Sequence, residues 1–255
     1  MKSGRTPAVV IGVRTYGESD KIVTFYTWNR GRLSGIAKGA QRSLKRFVNK
    51  LELFTHLEIL YTESRSSSLV RIDQAELLSP FPQIRANYNR FSAASLVAEL
   101  LFHWSRENDP DGQIFELLLW TLSALENTKQ PSAWTAILFN IKLLTLLGYK
   151  PSLDGCTDCG AFAFQDGPYR FSTNRNGLIC RRCAKINENA DSETGHQTIS
   201  LNTARLLQKA QELELDKLDR LRFNESTVKE ALAILKNYGN NLLQREISSW
   251  DFIAR

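Results

Sequence analysis

Short runs of β-branched and aromatic residues punctuate the first 80 positions: Ala8–Arg14, Ile22–Trp28, Leu33–Lys38, Leu53–Tyr61 and Leu69–Leu78. Gly, Asn, Ser or charged breakers separate them, so each run predicts a strand. Within Ile22–Trp28, alternation sends Ile22, Thr24, Tyr26 and Trp28 to one face and Val23, Phe25 and Thr27 to the other. Asn29-Arg30-Gly31 reads as a hairpin turn and Arg65-Ser66-Ser67-Ser68 as a polar loop. Five short strands in about 75 residues fit a small closed barrel such as the OB-fold. An SH3-like barrel has much the same pattern, so the period alone does not choose between them.

After Ser79-Pro80-Phe81-Pro82 the period lengthens. Phe91, Ala94, Val97, Ala98, Leu101 and Trp104 recur at helical spacing, as do Phe115, Leu118, Leu119, Leu122 and Leu125. A third helix carries Trp134, Ile137, Leu138, Ile141 and Leu144, with Phe139, Leu143 and Leu147 as a second apolar face. Apolar on two sides, it predicts the buried centre of a bundle, ended by Gly148 and Pro151. Helical spacing returns at Ala204–Leu213 and Val228–Leu242. The expected architecture is α+β: an OB-fold barrel over residues 1–80, then a helical domain over 81–255, interrupted at about 153–190 by a small cysteine module.

Composition narrows the class. Of 255 residues, 42% are hydrophobic and 24% charged, which excludes wholesale disorder. No apolar run approaches the roughly 18 residues of a membrane span, and Ala8–Val13 is too short for the core of a signal peptide. A cytoplasmic protein is expected.

The net charge of +6 is unevenly placed. Residues 1–50 hold eleven Lys and Arg against Glu18 and Asp20, a local charge of +9 that leaves −3 for the other 205 residues. Arg30, Arg32, Lys38, Arg42, Lys45, Arg46 and Lys50 follow one another with no acidic residue between, and Arg14 precedes them. Such a run predicts a nucleic-acid-binding surface, nucleoid-directed when bound, that neutralises phosphates without reading bases. Five to seven single-strand phosphates would give a salt slope of about −3.5 to −5. Tyr26, Trp28 and Phe47 lie within or beside the run; they offer base stacking, or else they belong to the barrel core.

Cys156-Thr-Asp-Cys159 and Cys180-Arg-Arg-Cys183 stand 20 residues apart. Two residues between cysteines let one turn aim two thiolates at one ion, and two such turns complete a tetrahedron. A disulfide pair fits poorly with a cytosolic chain, and a redox dithiol needs no second CxxC. Phe162–Phe164 and Tyr169–Phe171, broken by Asp166-Gly167, predict a hairpin between the knuckles. One structural Zn2+ per chain is expected on Cys156, Cys159, Cys180 and Cys183, closed to catalysis because all four positions are filled by protein.

Signals for covalent catalysis are missing. Gly31, Gly35 and Gly39 do not make a phosphate-binding loop, His56, His103 and His196 lack partners at recognisable spacing, and Asp109-Pro110-Asp111-Gly112 reads as a turn. The sequence makes no case for an enzyme.

Gly17-Glu18-Ser19-Asp20-Lys21, Thr24–Thr27, Arg30-Gly31-Arg32-Leu33 and Ala37-Lys38-Gly39-Ala40 together resemble the N-terminal signature of the bacterial RecO family of recombination mediators. Phe139–Pro151, the Cys156 knuckle and Ser249-Trp250-Asp251-Phe252 extend the resemblance over essentially the whole chain. It implies an OB-fold, a helical domain and a zinc-ribbon-like insert. It further implies binding of single- and double-stranded DNA, annealing of complementary strands, and help in loading RecA onto DNA coated with single-strand-binding protein. The implied partners are RecR and the acidic tail of that coat protein. A groove near Phe139–Leu147, with Lys142 and Lys150 as anchors, is the expected dock for the tail. The alternative is a zinc-ribbon-containing RNA-binding or RNA-modifying protein.

Overall fold

The computed structural model describes residues 2–43, 45–64, 67–127, 130–161, 169–187 and 196–253. They form two compact units, Met1–Lys129 and Gln130–Arg255.

The first unit is built on strands β1 (Ser3–Tyr16), β2 (Asp20–Thr27), β3 (Gly31–Ala37), β4 (His56–Thr62) and β5 (Val70–Ser79). They close in the order β1-β2-β3-β5-β4. The 14-residue β1 pairs with β4 over Ser3–Val9 and with β2 over Ala8–Tyr16, the latter with a register shift between Val10 and Gly12. Closure comes from a short parallel contact, Gly35 with Val70 and Ile36 with Arg71. That parallel β3–β5 seam makes the barrel an OB-fold, the choice the strand period left open. Val23, Phe25, Leu33, Leu57 and Ile72 fill its interior. Burying Phe25 alone stabilises the fold by about 2–3 kcal/mol.

Helices α1 (Pro82–Ala86), α2 (Tyr88–Trp104) and α3 (Gly112–Asn127) complete this unit. The change of period near residue 80 is therefore a change of element within one compact body; compactness parts the chain at 129/130. The reason lies on the outer face of the barrel. Tyr26, on the face of β2 opposite the core residue Phe25, is 1% exposed because Phe115 of α3 stacks on it at 6.4 Å. The β2–β3 turn also meets the α2–α3 loop: a Cβ at Gly31 (φ +60) would stand 2.2 Å from the Asp109 carbonyl oxygen. Only glycine fits that approach.

The second unit centres on α4 (Ser132–Leu146), with Ile137, Phe139, Ile141 and Leu144 fully buried, as its two apolar faces predict. It packs against α6 (Leu201–Glu212) and α7 (Glu225–Leu243). In sequence between α4 and α6 lie β6 (Tyr169–Ser172), β7 (Gly177–Ile179), α5 (Arg181–Asn187) and β8 (His196–Ile199), the strands in sheet order β7-β6-β8; α8 (Trp250–Ile253) follows α7. Tyr169–Phe171 lies in β6, whose described partners are β7 and β8, both antiparallel. Phe162–Phe164 and Asp166-Gly167 lie outside the described residues. No helix among the described residues is long and apolar enough to cross a membrane.

Candidate nucleic-acid interface and metal centre

The basic run is contiguous in sequence and divided in space. Arg30 and Arg32 stand at the start of β3, while Lys38 leaves its far end, about 20 Å of strand away. Arg30 pairs with Glu63 at 2.9 Å. Arg32 is committed to the C-terminal end of α2: its guanidinium lies 4.6 Å from the Phe102 ring centroid and donates to the Phe102 carbonyl. Lys50 donates to the Ala75 carbonyl at 2.9 Å. These three are half-buried and serve the fold.

Lys38, Arg42, Lys45 and Arg46 are exposed on the segment that follows β3, around a 3-10 turn at Ala40–Arg42. Arg46 donates to the Lys38 carbonyl at 2.9 Å, which folds the segment back on itself. Arg42 has Glu18 at 3.6 Å, a solvated pair of little strength. Lys38 and Lys45 make no ion pair among the described residues. Arg14, also exposed, sits on β1 opposite Ile22, towards the β1–β2 turn to which this segment is hydrogen-bonded. The structure thus gathers five of the eight expected cations near one end of the barrel, while Arg30, Arg32 and Lys50 are half-buried and make contacts within the unit.

The aromatics divide in the same way. Phe47 is 3% exposed in the barrel core, and Tyr26 is covered by Phe115. Trp28 alone of the three keeps an open face, 43% exposed, with its edge held against Phe115.

A carboxylate sits at the foot of the basic segment. Asp20 accepts the Gly39 N–H at 2.8 Å and the Ser19 hydroxyl at 3.0 Å through one oxygen. Its own carbonyl accepts from the Gln41 side chain at 2.9 Å, while the Ser19 carbonyl takes the Gln41 N–H at 2.9 Å. The Gly39 N–H in particular holds the Asp20 carboxyl below its ordinary range. Asp20 opens β2, the strand whose hairpin partner β3 leads into the basic turn, and its place in the signature at residues 17–21 was the available signal.

In the second unit the four cysteine sulfurs lie within 4.8 Å of one another. Gly160, at φ +69, turns the first knuckle so that its N–H donates to the Cys156 carbonyl at 2.9 Å. Thr157 ties that knuckle to β7 through the Leu178 carbonyl at 2.8 Å, and β7 runs directly into Cys180. The Cys180 N–H donates to the Cys156 sulfur at 3.3 Å, as backbone amides do around metal-bound thiolates. Cys156, Cys180 and Cys183 are buried and Cys159 is exposed. The Ala161 N–H holds the Cys159 thiol down to about 6, while burial pushes Cys183 up to about 12. Four thiolates this close repel one another, so a cation is what stabilises the complete set. The donor set suits a metal ion. Arg182, which the sequence reading passed over, hydrogen-bonds Cys159 and offsets part of the thiolate charge.

Lys142 is engaged within its own unit. Its ammonium donates to the Gln211 and Leu213 carbonyls at 3.0 and 2.7 Å, closing the C-terminal end of α6, and burial lowers its pKa. Phe139, Leu143 and Leu144 beside it are fully buried. The lysine and the apolar face expected to form a peptide groove belong to the bundle; Lys150 is exposed.

The chain matches the family model for the N-terminal part of Recombination protein O over residues 1–81, and that for the C-terminal part over residues 85–251. It is 34% identical to the DNA repair protein RecO of Syntrophus aciditrophicus over 96% of this chain and 93% of that protein. For the DNA repair protein RecO of Syntrophobacter fumaroxidans the identity is 33%, over 98% of this chain and 96% of that one. With the DNA repair protein RecO of Thermoanaerobacter it is 30%, over 99% and 98%. With both family models matched in chain order and relatives aligned nearly end to end, the chain belongs to the Recombination protein O family.

Proposed function

We propose that this chain is a DNA-binding mediator of recombinational repair that works by charge neutralisation, without covalent catalysis. The observation that carries the reading is the exposed array of Lys38, Arg42, Lys45 and Arg46 on one segment of an OB barrel, in a chain of this family. Two complementary strands repel as polyanions. A basic surface that neutralises both lowers that barrier, and pairing is then downhill without nucleotide hydrolysis. Trp28, 43% exposed near the β2–β3 turn, offers an open aromatic face for sequence-tolerant stacking. The same activity, acting on strands coated with single-strand-binding protein, would assist RecA loading, with RecR as partner. Of the two lysines considered for the coat protein's acidic tail, Lys150 beside the half-exposed Tyr149 remains accessible.

The metal on the four cysteines is zinc in this reading. Tetrahedral Zn–S bonds of about 2.3 Å place sulfurs about 3.8 Å apart, and Cys159 and Cys180 stand at 3.8 Å. Its part is to hold the knuckles together.

The test is annealing of complementary strands coated with single-strand-binding protein, in the absence of ATP. Annealing under those conditions is expected. A requirement for ATP, or structured RNA displacing single-stranded DNA from the protein, overturns the reading.

A further inference from the structure

Asp20 presents a contradiction to be resolved. It is one of only two acids in the first 50 residues, and it sits at the base of the segment with the densest positive charge. A free carboxylate there would repel phosphates. Its geometry shows that it is not free. One oxygen takes the Gly39 N–H at 2.8 Å and the Ser19 hydroxyl at 3.0 Å, while the Asp20 carbonyl takes the Gln41 side chain at 2.9 Å. Gly39 is in the left-handed conformation, φ +67, and directly precedes the 3-10 turn that carries Arg42. Lys38 directly precedes Gly39. One side chain therefore fixes the peptide between two exposed cations.

Resting on the function proposed above, we infer that Asp20 is a positioning residue for the polyanion-binding segment, holding Lys38 and Arg42 at fixed spacing before DNA arrives. Without it, residues 38–42 keep the buried Ala40 and the Gln41 N–H bond to the Ser19 carbonyl, and lose the bond that sets the turn. Ordering the segment would then be charged against binding.

Charge and position predict opposite signs, which makes the inference testable. If Asp20 acted only through its charge, Asp20→Ala would raise affinity for single-stranded DNA, because it removes repulsion. As a positioning residue, it should instead lower affinity by about five- to tenfold when its hydrogen bond is lost. Asp20→Asn keeps an acceptor oxygen and drops the charge, so it should restore affinity to the wild-type level or above. Glu18→Ala, which removes an exposed acid two residues away, should raise affinity. Each is measured on the full chain by fluorescence anisotropy with an oligothymidylate, and hydrogen exchange at residues 38–42 is followed in parallel without DNA. Faster exchange there in Asp20→Ala, slowed again in Asp20→Asn, is expected. Asp20→Ala binding as tightly as wild type, or unchanged exchange, overturns the inference. Wild-type protein that shows no salt-dependent binding overturns the underlying function, and is told apart because it fails before any variant is compared.

Discussion

The guanidinium of Arg32 and the ring of Phe102, 70 positions apart in sequence, stack at 4.6 Å, with Arg32 also donating to the Phe102 carbonyl. A residue that belongs to the basic run by sequence thus joins the barrel to α2. Arg32→Ala should destabilise the first unit by about 2 kcal/mol, from the lost cation–π contact and charged hydrogen bond. Thermal unfolding measures this. Lys45→Ala, at an exposed position without an ion pair among the described residues, should leave the melting temperature unchanged and weaken DNA binding. The opposite pattern would return Arg32 to the DNA surface.

The salt dependence of DNA binding follows from which cations are free. Arg14, Lys38, Arg42, Lys45 and Arg46 are exposed. Four or five neutralised single-strand phosphates give a slope of about −3 to −3.5, shallower than the whole run would give. Between 50 and 200 mM salt, affinity should fall roughly 60- to 130-fold. Reversing the charge of Arg42 and Lys45 together should weaken all sequences alike and flatten the slope by about 1.5. A slope of −5, or loss confined to some sequences, would contradict the placement.

The four cysteines should carry one zinc per chain. Metal analysis of protein purified without chelator checks the stoichiometry, and well under half an equivalent would count against it. Cys180→Ser should destabilise the cysteine module, since coordination supplies folding free energy that so small a body lacks. A strong chelator should expose four titratable thiols while the first unit's melting transition stays in place.

His56 packs edge-on against Phe115 at 6.0 Å, and burial lowers its pKa from the ordinary 6.5. The unfolded chain then takes up a proton at this site at a pH where the folded one does not. Stability from this site is full above about pH 6.5 and declines as pH falls below it, towards the lowered folded value. His56→Phe should remove that part of the decline between about pH 7 and 5, read from the difference between wild-type and variant melting temperatures. Parallel curves for the two proteins would refute the assignment.

Local signals carry local structure here. Period-2 alternation places β2 and separates its two faces, the two apolar faces of α4 mark a bundle centre, and paired CxxC turns bring four thiols together, because each depends on neighbours a few residues away. What depends on distant residues was decided only in three dimensions. The parallel seam of Gly35 with Val70 selects the OB-fold; Glu63 pairs with the half-buried Arg30, Phe102 stacks on Arg32, and the carbonyls of Gln211 and Leu213 accept from Lys142. The physical reason is the same in each case. A strand or a helix turn is specified by side chains that are near in sequence, whereas a charge is free or committed according to what packing brings within about 4 Å of it, and a list of residues does not contain that distance.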